Sequence, residues 1–368
     1  MKNRTKKILA VALLVMACTV VGSLISTQPI LNRGIVVGMG IDKTEQNEIE
    51  VTVQIAVAGE SSAPGAPNRY ALVNGKAKTL LAAMERISRI TAYKPAYFHC
   101  HMLIFGEKLV REGLKETATE LFIEDSVMDD VAVMAVQGTA KETLERSVSM
   151  QGASSVYLQQ LNKINSSTGG HPASTLKNFI TDFETKGNTP FLPWVEALPV
   201  PKAVGGADTG GDEQNYVFDC SKTVLFLPSG KGIVTDEKVT DALGLTSQPD
   251  GMFLPIKTAE GNMDVQIKKS LMWWSVGEDG CVTFRATYFV GVLAQNIAES
   301  ASDLTDDYVT ETVKEHISDI LTSVRAEYES SEADPYSLQG KYHKKFGEKK
   351  EPESIAFRLK LTIKRSDA

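Results

Sequence analysis

Few residues in this chain combine types and spacing able to do chemistry, and each sits where a structural role explains it as well. Ser174-Thr175-Leu176-Lys177 has the S-x-x-K spacing of penicillin-binding enzymes, in which a lysine one helical turn from a serine activates the hydroxyl for nucleophilic attack. The companion S-D-N and K-T-G elements are absent, and a hydroxyl residue ahead of an apolar-periodic segment is also a helix N-cap. His99-Cys100-His101 brings together three metal-ligating types. On a strand, however, the two imidazoles face one way and the thiol the other, so the three cannot converge on one ion. Gly38-Met39-Gly40 follows an apolar stretch, as a dinucleotide fingerprint would, but Lys43 holds the place of the third glycine.

Other chemical signatures are missing. The chain contains no G-x-S-x-G, no P-loop, no H-E-x-x-H and no calcium loop. Paired acids such as Asp129-Asp130 and Asp306-Asp307 precede a strand or open a helix, where first-turn carboxylates complement the helix dipole. Trp273-Trp274 falls in a strand pattern, so at most one indole can present a stacking face. These residues assign no catalytic group, no cofactor and no metal. Of the four cysteines, Cys18 lies in an apolar run, and Cys220 and Cys281 fall in strand-like runs of the same half. Those two can pair as a disulfide; buried free thiols are the competing reading, because the chain is no disulfide-dense miniature.

The elements that must position such residues begin after a charge-free segment at residues 8–25 (ILAVALLVMACTVVGSLI). Its length lies within the window of about 17–25 residues for a membrane span. Lys2, Arg4, Lys6 and Lys7 precede it, which places the N-terminus in the cytoplasm and the bulk of the chain outside. An uncleaved anchor fits best, because the run overshoots a signal-peptide core and no clean cleavage site follows. Lipidation at Cys18 is the alternative tether. The formal net charge of −7, with four cations spent ahead of the run, leaves an acidic body that should repel nucleic acid.

With 42% hydrophobic and 23% charged residues, that body is a folded globular protein long enough for more than one domain. Residues 34–41 and 48–58 read as a strand hairpin. A helix follows, starting near Gly75, then a strand over 97–105, a helix over 107–123 and a buried strand over 131–136. Helices are predicted at 153–164 and 175–183. Pro190, Pro193, Pro199 and Pro201 surround a stretch that should not form a central element. Residues 203–214 (AVGGADTGGDEQ) read as a linker. Beyond it, strands are predicted at 216–227, 265–271, 282–293 and 355–363, with a short helix at 236–243 and the clearest helix at 306–328, capped by Thr305. Residues 341–350, rich in lysine, read as a solvated turn region. The expected fold is therefore α+β and multi-domain, with mixed or antiparallel sheets covered by amphipathic helices. Its parts are an anchor (1–27), an N-terminal domain (28–202), the linker (203–214) and a C-terminal domain (215–368).

The order of segments resembles the spore germination C-subunit lipoproteins, the Ger(x)C family. The matching stretches are GIVVGMGID at 34–42 with the following VTVQI, the helix after Gly75, and YFHCHMLIFGEKLVREG at 97–113. Further on they include the Leu-Pro element at 190–198, the strand, turn and helix at 222–243, and Ala333-Asp334-Pro335-Tyr336 after the long helix. The family's lipobox cysteine, followed by Trp-Asp, has no counterpart in residues 23–29. The resemblance implies a spore germination protein on the outer face of the inner spore membrane, the C subunit of a nutrient-germinant receptor working with an A subunit and a transporter-like B subunit. It carries over no catalytic residues. Two other classes compete with it: a tethered small-ligand-binding protein, and an envelope serine hydrolase using Ser174 and Lys177.

Overall fold

A computed structural model describes residues 33–366, apart from 58–68, 93, 125–126, 149–152, 201–214, 259–260, 298–304 and 330, together with residues 13 and 16. The apolar run at 8–25 with Cys18, and the linker at 203–214, thus lie outside the described residues, save Leu13 and Met16. Among the described residues no helix is long and apolar enough to cross a membrane.

The first sheet starts from the predicted hairpin. Strand β1 (Arg33–Lys43) runs antiparallel to β2 (Ile49–Val57), whose alternating Val51, Val53 and Ile55 are buried. Strand β3 (Arg69–Ala77) pairs with β2 and contains Gly75, so the helix expected from there begins later. Helix α1 (Leu80–Ile90) is opened by Thr79, whose hydroxyl accepts from the Ala82 N–H. A Cβ on Gly75 would stand 2.4 Å from the Ala83 carbonyl oxygen; the glycine lets α1 lie directly on its strand.

The chain then forms β4 (Lys94–Ala96), a 3-10 turn at Tyr97–His99, and β5 (Met102–Gly106). The helix expected over 107–123 is two, α2 (Glu107–Glu112) and α3 (Lys115–Ile123), separated at Gly113, whose φ of 141° only glycine adopts readily. Strand β6 (Ala132–Val136), α4 (Ala140–Glu145), β7 (Ser147–Val148), α5 (Ser154–Ser167) and α6 (Leu176–Glu184) follow. Next come β8 (Phe191–Pro199), β9 (Asn215–Phe226) and β10 (Gly232–Val234). The sheet order is β10-β9-β8-β6-β5-β1-β2-β3, with parallel pairing from β1 through β5 and β6 to β8.

Strand β8 corrects the expectation that its prolines exclude it from the interior of a sheet. Its pairing with β6 is confined to Trp194 and Val195, just past Pro193, and a bulge follows before Glu196, so the missing N–H costs little. The strands flanking 203–214 are antiparallel neighbours, so this sheet extends beyond residue 215, where the second domain was expected to start. Strand β9 serves three cores: Val224 and Phe226 pack into one, Leu225 into a second, and Phe218 and Cys220 into a third.

Helix α7 (Glu237–Ser247) leads to a second sheet of β11 (Phe253–Thr258), β12 (Gly261–Val276), β13 (Cys281–Ile297) and β14 (Ala356–Arg365). Between β13 and β14, which are parallel, lie α8 (Asp306–Glu327) and α9 (Leu338–Phe346). The predicted stripe of α8 is buried at Val309, Val313, Ile317, Ile320, Leu321 and Val324, and Thr305 caps it as expected. At about 1.5–3 kcal/mol per buried side chain, that stripe is a main contribution to holding the second sheet folded. The architecture is the expected α+β class with mixed sheets.

Candidate functional site

The residues singled out by type and spacing are not assembled into a reactive centre. Ser174 is buried just ahead of α6, and its carbonyl accepts from the Val133 N–H at 3.2 Å. Lys177 is exposed, and no hydrogen bond joins it to Ser174 among the described residues. The capping hydroxyl is Thr175, which accepts from the Asn178 N–H at 3.3 Å. In the histidine-cysteine trio, the 3-10 turn replaces the expected strand. His99 and His101 are exposed, while Cys100 points inward and donates to the Met102 carbonyl at 3.2 Å. Burial pushes its thiol up to about 12, away from the thiolate that would bind metal or attack. Among the described residues no three acidic, histidine or cysteine side chains are grouped to hold a metal ion.

The disulfide considered between Cys220 and Cys281 is corrected: both are buried free thiols. They sit on β9 and β13, strands of different sheets, and Cys220 belongs to the core beneath α4 and α5. Trp273 is 52% exposed whereas Trp274 turns inward against Phe284, ring centroids 4.7 Å apart, in the alternation expected of a strand.

Gly38 and Gly40 take a different role from the one their spacing suggests. A Cβ on Gly38 would fall 2.2 Å from the Ser155 Cβ, and one on Gly40 would fall 2.9 Å from the Ala140 Cβ. Both are docking sites where α5 and α4 meet the sheet. A row of buried polar side chains on β1 and β2 completes that contact. Asp42 accepts from the Ala140 and Lys141 N–H groups at 2.8 and 2.9 Å, closing the start of α4. Gln54 Oε1 accepts from the Ser155 hydroxyl and N–H at the start of α5. Glu50 is held by Asn74 and by the ammonium groups of Lys76 and Lys141. Burial raises the Asp42 carboxyl to about 6, against the lowering effect of its two backbone donors.

A second polar region lies where the two sheets' helices meet, in a cleft of about 580 Å³ between α6, the start of β8, α7, β12 and α9. Its frame is the turn at 333–336. The Asp334 carboxylate accepts from the Tyr336 N–H (3.0 Å) and from the Leu338 N–H (2.7 Å), opening α9. Two reciprocal bonds fasten this turn to the first sheet. The Asp334 N–H donates to the Thr189 hydroxyl at 2.8 Å, and the Thr189 N–H donates to the Ser337 hydroxyl at 3.0 Å. Gly340 N–H donates to Gly187 O at 2.9 Å, at a contact so close that a Cβ on Gly340 would meet the Asn188 Oδ1 at 1.8 Å. Tyr336 is buried, donating to Leu321 O at 2.9 Å and stacking on Phe357.

Inside the cleft, Asp182 accepts from the Asn188 amide at 2.8 Å. Burial raises its carboxyl above the ordinary range, and Lys341 partly offsets this. Lys341 donates to the Tyr336 carbonyl oxygen and lies 4.4 Å from the Trp274 ring centroid. Burial lowers its ammonium to about 8. His343 is 3% exposed; its Nδ1 has no partner, and its Nε2 stands 3.3 Å from a Glu351 oxygen without hydrogen-bond alignment. These groups were absent from the sequence-based candidates. Residues 341–350 read as solvated, whereas α9 carries Lys341 and His343 inward and ends near Gly347. The available signal was the Asp-Pro-Tyr turn with Trp274, which only topology brings together.

Comparison with known proteins finds a match within the first part of the chain. Residues 26–197 match the family described as the spore germination protein N-terminal domain. The resemblance to the Ger(x)C family read from the sequence is borne out on that match. A solved structure titled as the crystal structure of the GerBC protein aligns at 13% identity and a TM-score of 0.46, covering 90% of this chain and 97% of that one. No curated protein matches the sequence.

Proposed function

We propose that this spore germination protein is a non-catalytic, membrane-tethered C subunit of a nutrient-germinant receptor, with its bulk on the extracytoplasmic side of the inner spore membrane beside an A subunit and a transporter-like B subunit. The observation that carries the reading is the match of residues 26–197 to the spore germination domain. Two others support it. Ser174 and Lys177, the residues an acyl-transfer enzyme would need, are respectively buried and exposed with no bond between them. The charge-free run at 8–25 stands close before β1: residues 26–32, at about 3.3–3.6 Å each, span no more than about 25 Å. An anchored run would therefore hold that end of the first sheet near the bilayer.

The test is fractionation of spores carrying an epitope-tagged chain, combined with deletion of its gene. The expected result is recovery in the inner-membrane fraction, co-purification with two further receptor subunits, and loss of the germination response to at least one nutrient. A tagged chain found free in the soluble fraction, with nutrient responses intact in the deletion strain, would overturn the reading. A fluorophosphonate probe separates out the hydrolase: Ser174 should remain unlabelled, and labelling abolished by Ser174→Ala would favour the enzyme.

A further inference from the structure

We propose that the cleft between α6 and α9 is a binding site for a small zwitterion, a molecule carrying one ammonium and one carboxylate on an apolar body. Asp182 and Lys341 line the same cleft with opposite charges, yet among the described residues they form no ion pair with each other. Asp182 is held by Asn188 and Lys341 by the Tyr336 carbonyl, the Trp274 ring and the charge of Asp334, and both keep hydrogen-bonding capacity. Asp182 uses one oxygen for Asn188, and Lys341 uses one of its three N–H groups for the Tyr336 carbonyl. Both are partly buried, and a ligand ammonium at Asp182 with a ligand carboxylate at Lys341 would use the remaining capacity of both in one step. His343, buried with an unpartnered Nδ1, is a third polar group lining the cleft.

The remaining lining sets the class of ligand. Trp274, Phe191, Leu243 and Pro335 supply an apolar wall suited to an aliphatic or aromatic body, and about 580 Å³ is ample for a molecule of amino-acid size. Charge is balanced around the cleft, with Glu348 and Lys344 lining it beside Asp182 and Lys341. A phosphate or other simple anion would meet two carboxylates, and a simple cation would meet two ammonium groups. The inference stands on this geometry alone, so its failure would leave the tethered-subunit reading in place.

Calorimetric titration of the full chain in detergent micelles with leucine, phenylalanine and glutamine provides the test. At least one should bind saturably. If leucine binds, 4-methylpentanoate, lacking the ammonium, and 3-methylbutylamine, lacking the carboxylate, should each bind at least about tenfold more weakly. Asp182→Asn should weaken binding by a similar factor and erase the preference over the deaminated analogue. Lys341→Met should do the same for the decarboxylated one, while Trp273→Ala, on the solvent face of β12, should bind as the parent does. If Lys341→Met fails to fold by circular dichroism, Asp182→Asn decides alone, since asparagine preserves shape. No saturable binding of any of the three amino acids, or binding unchanged in Asp182→Asn, overturns the proposal.

Discussion

The contact beneath α4 and α5 and the cleft beside α9 are both rich in buried polar groups, but they dispose of their hydrogen bonds in opposite ways. Under α4 and α5, Asp42, Glu50 and Gln54 are occupied by helix N–H groups, a serine and two lysines, and Gly38 and Gly40 bring the helices close enough for those bonds to form. In the cleft, Asp334 and Thr189 are similarly occupied, whereas Asp182, Lys341 and His343 retain unsatisfied capacity. A buried polar group whose bonds are all used within the fold explains its own presence. One that leaves them open incurs desolvation with no structural return, and that is where a ligand is to be sought.

That contrast can be broken most forcefully at Gly38. Gly38→Val should destabilise the chain by about 3 kcal/mol or more, because its side chain would overlap Ser155 and lift α5 off the sheet; urea unfolding would measure this. If the loss is below about 1 kcal/mol, the tight docking of α5 is not what holds that face. Next in size is a pH effect. Burial raises Asp42 from 3.8 to about 6, so between those values the folded chain holds a proton that the unfolded chain releases. Stability from this group is therefore complete below about pH 4 and falls, by up to about 3 kcal/mol, as pH rises through 6. Asp241, also raised to about 6 by burial, acts in the same direction. Asp42→Asn, a neutral isostere that cannot ionise, should flatten the slope of urea midpoint against pH, with its stability relative to the parent rising as pH rises through 6.

A smaller effect sharpens the other side of the comparison. Asp334→Ala removes the carboxylate that opens α9 and should cost about 1–2 kcal/mol in thermal or urea unfolding. It should also weaken ligand binding in the cleft, because Lys341 and His343 ride on that helix. The smallest change is expected at Trp273, exposed beside the inward Trp274; Trp273→Ala should shift stability by less than about 0.5 kcal/mol, and a larger loss would mean that this surface packs against something.

Much of the fold was legible where one face of an element is apolar. The alternation of β2, the stripe of α8 and the Thr305 cap follow from residue spacing, because burial on one side imposes period 2 or 3.6 on a sequence whatever lies opposite. The break at Gly113 and strand β8 were missed because each depends on a partner far along the chain. Leu114 N–H reaches Gly230 O at 3.0 Å, and Pro193 is tolerated only because β6 pairs beyond it. The lack of a reactive Ser174–Lys177 pair and the free state of Cys220 and Cys281 likewise needed side-chain placement, since spacing along a chain does not fix distance between strands of different sheets.

By itself the sequence determined the α+β class, the acidic charge of the body, the apolar run ahead of it and the resemblance to germination proteins, all of which are local or compositional properties. Only the tertiary structure decided that Gly38 and Gly40 are contact points for helices and that Asp182, Lys341 and His343 share a cleft. Those residues lie on α6 and α9, which are separated by most of the second sheet, and nothing in their local spacing records that the fold brings them face to face.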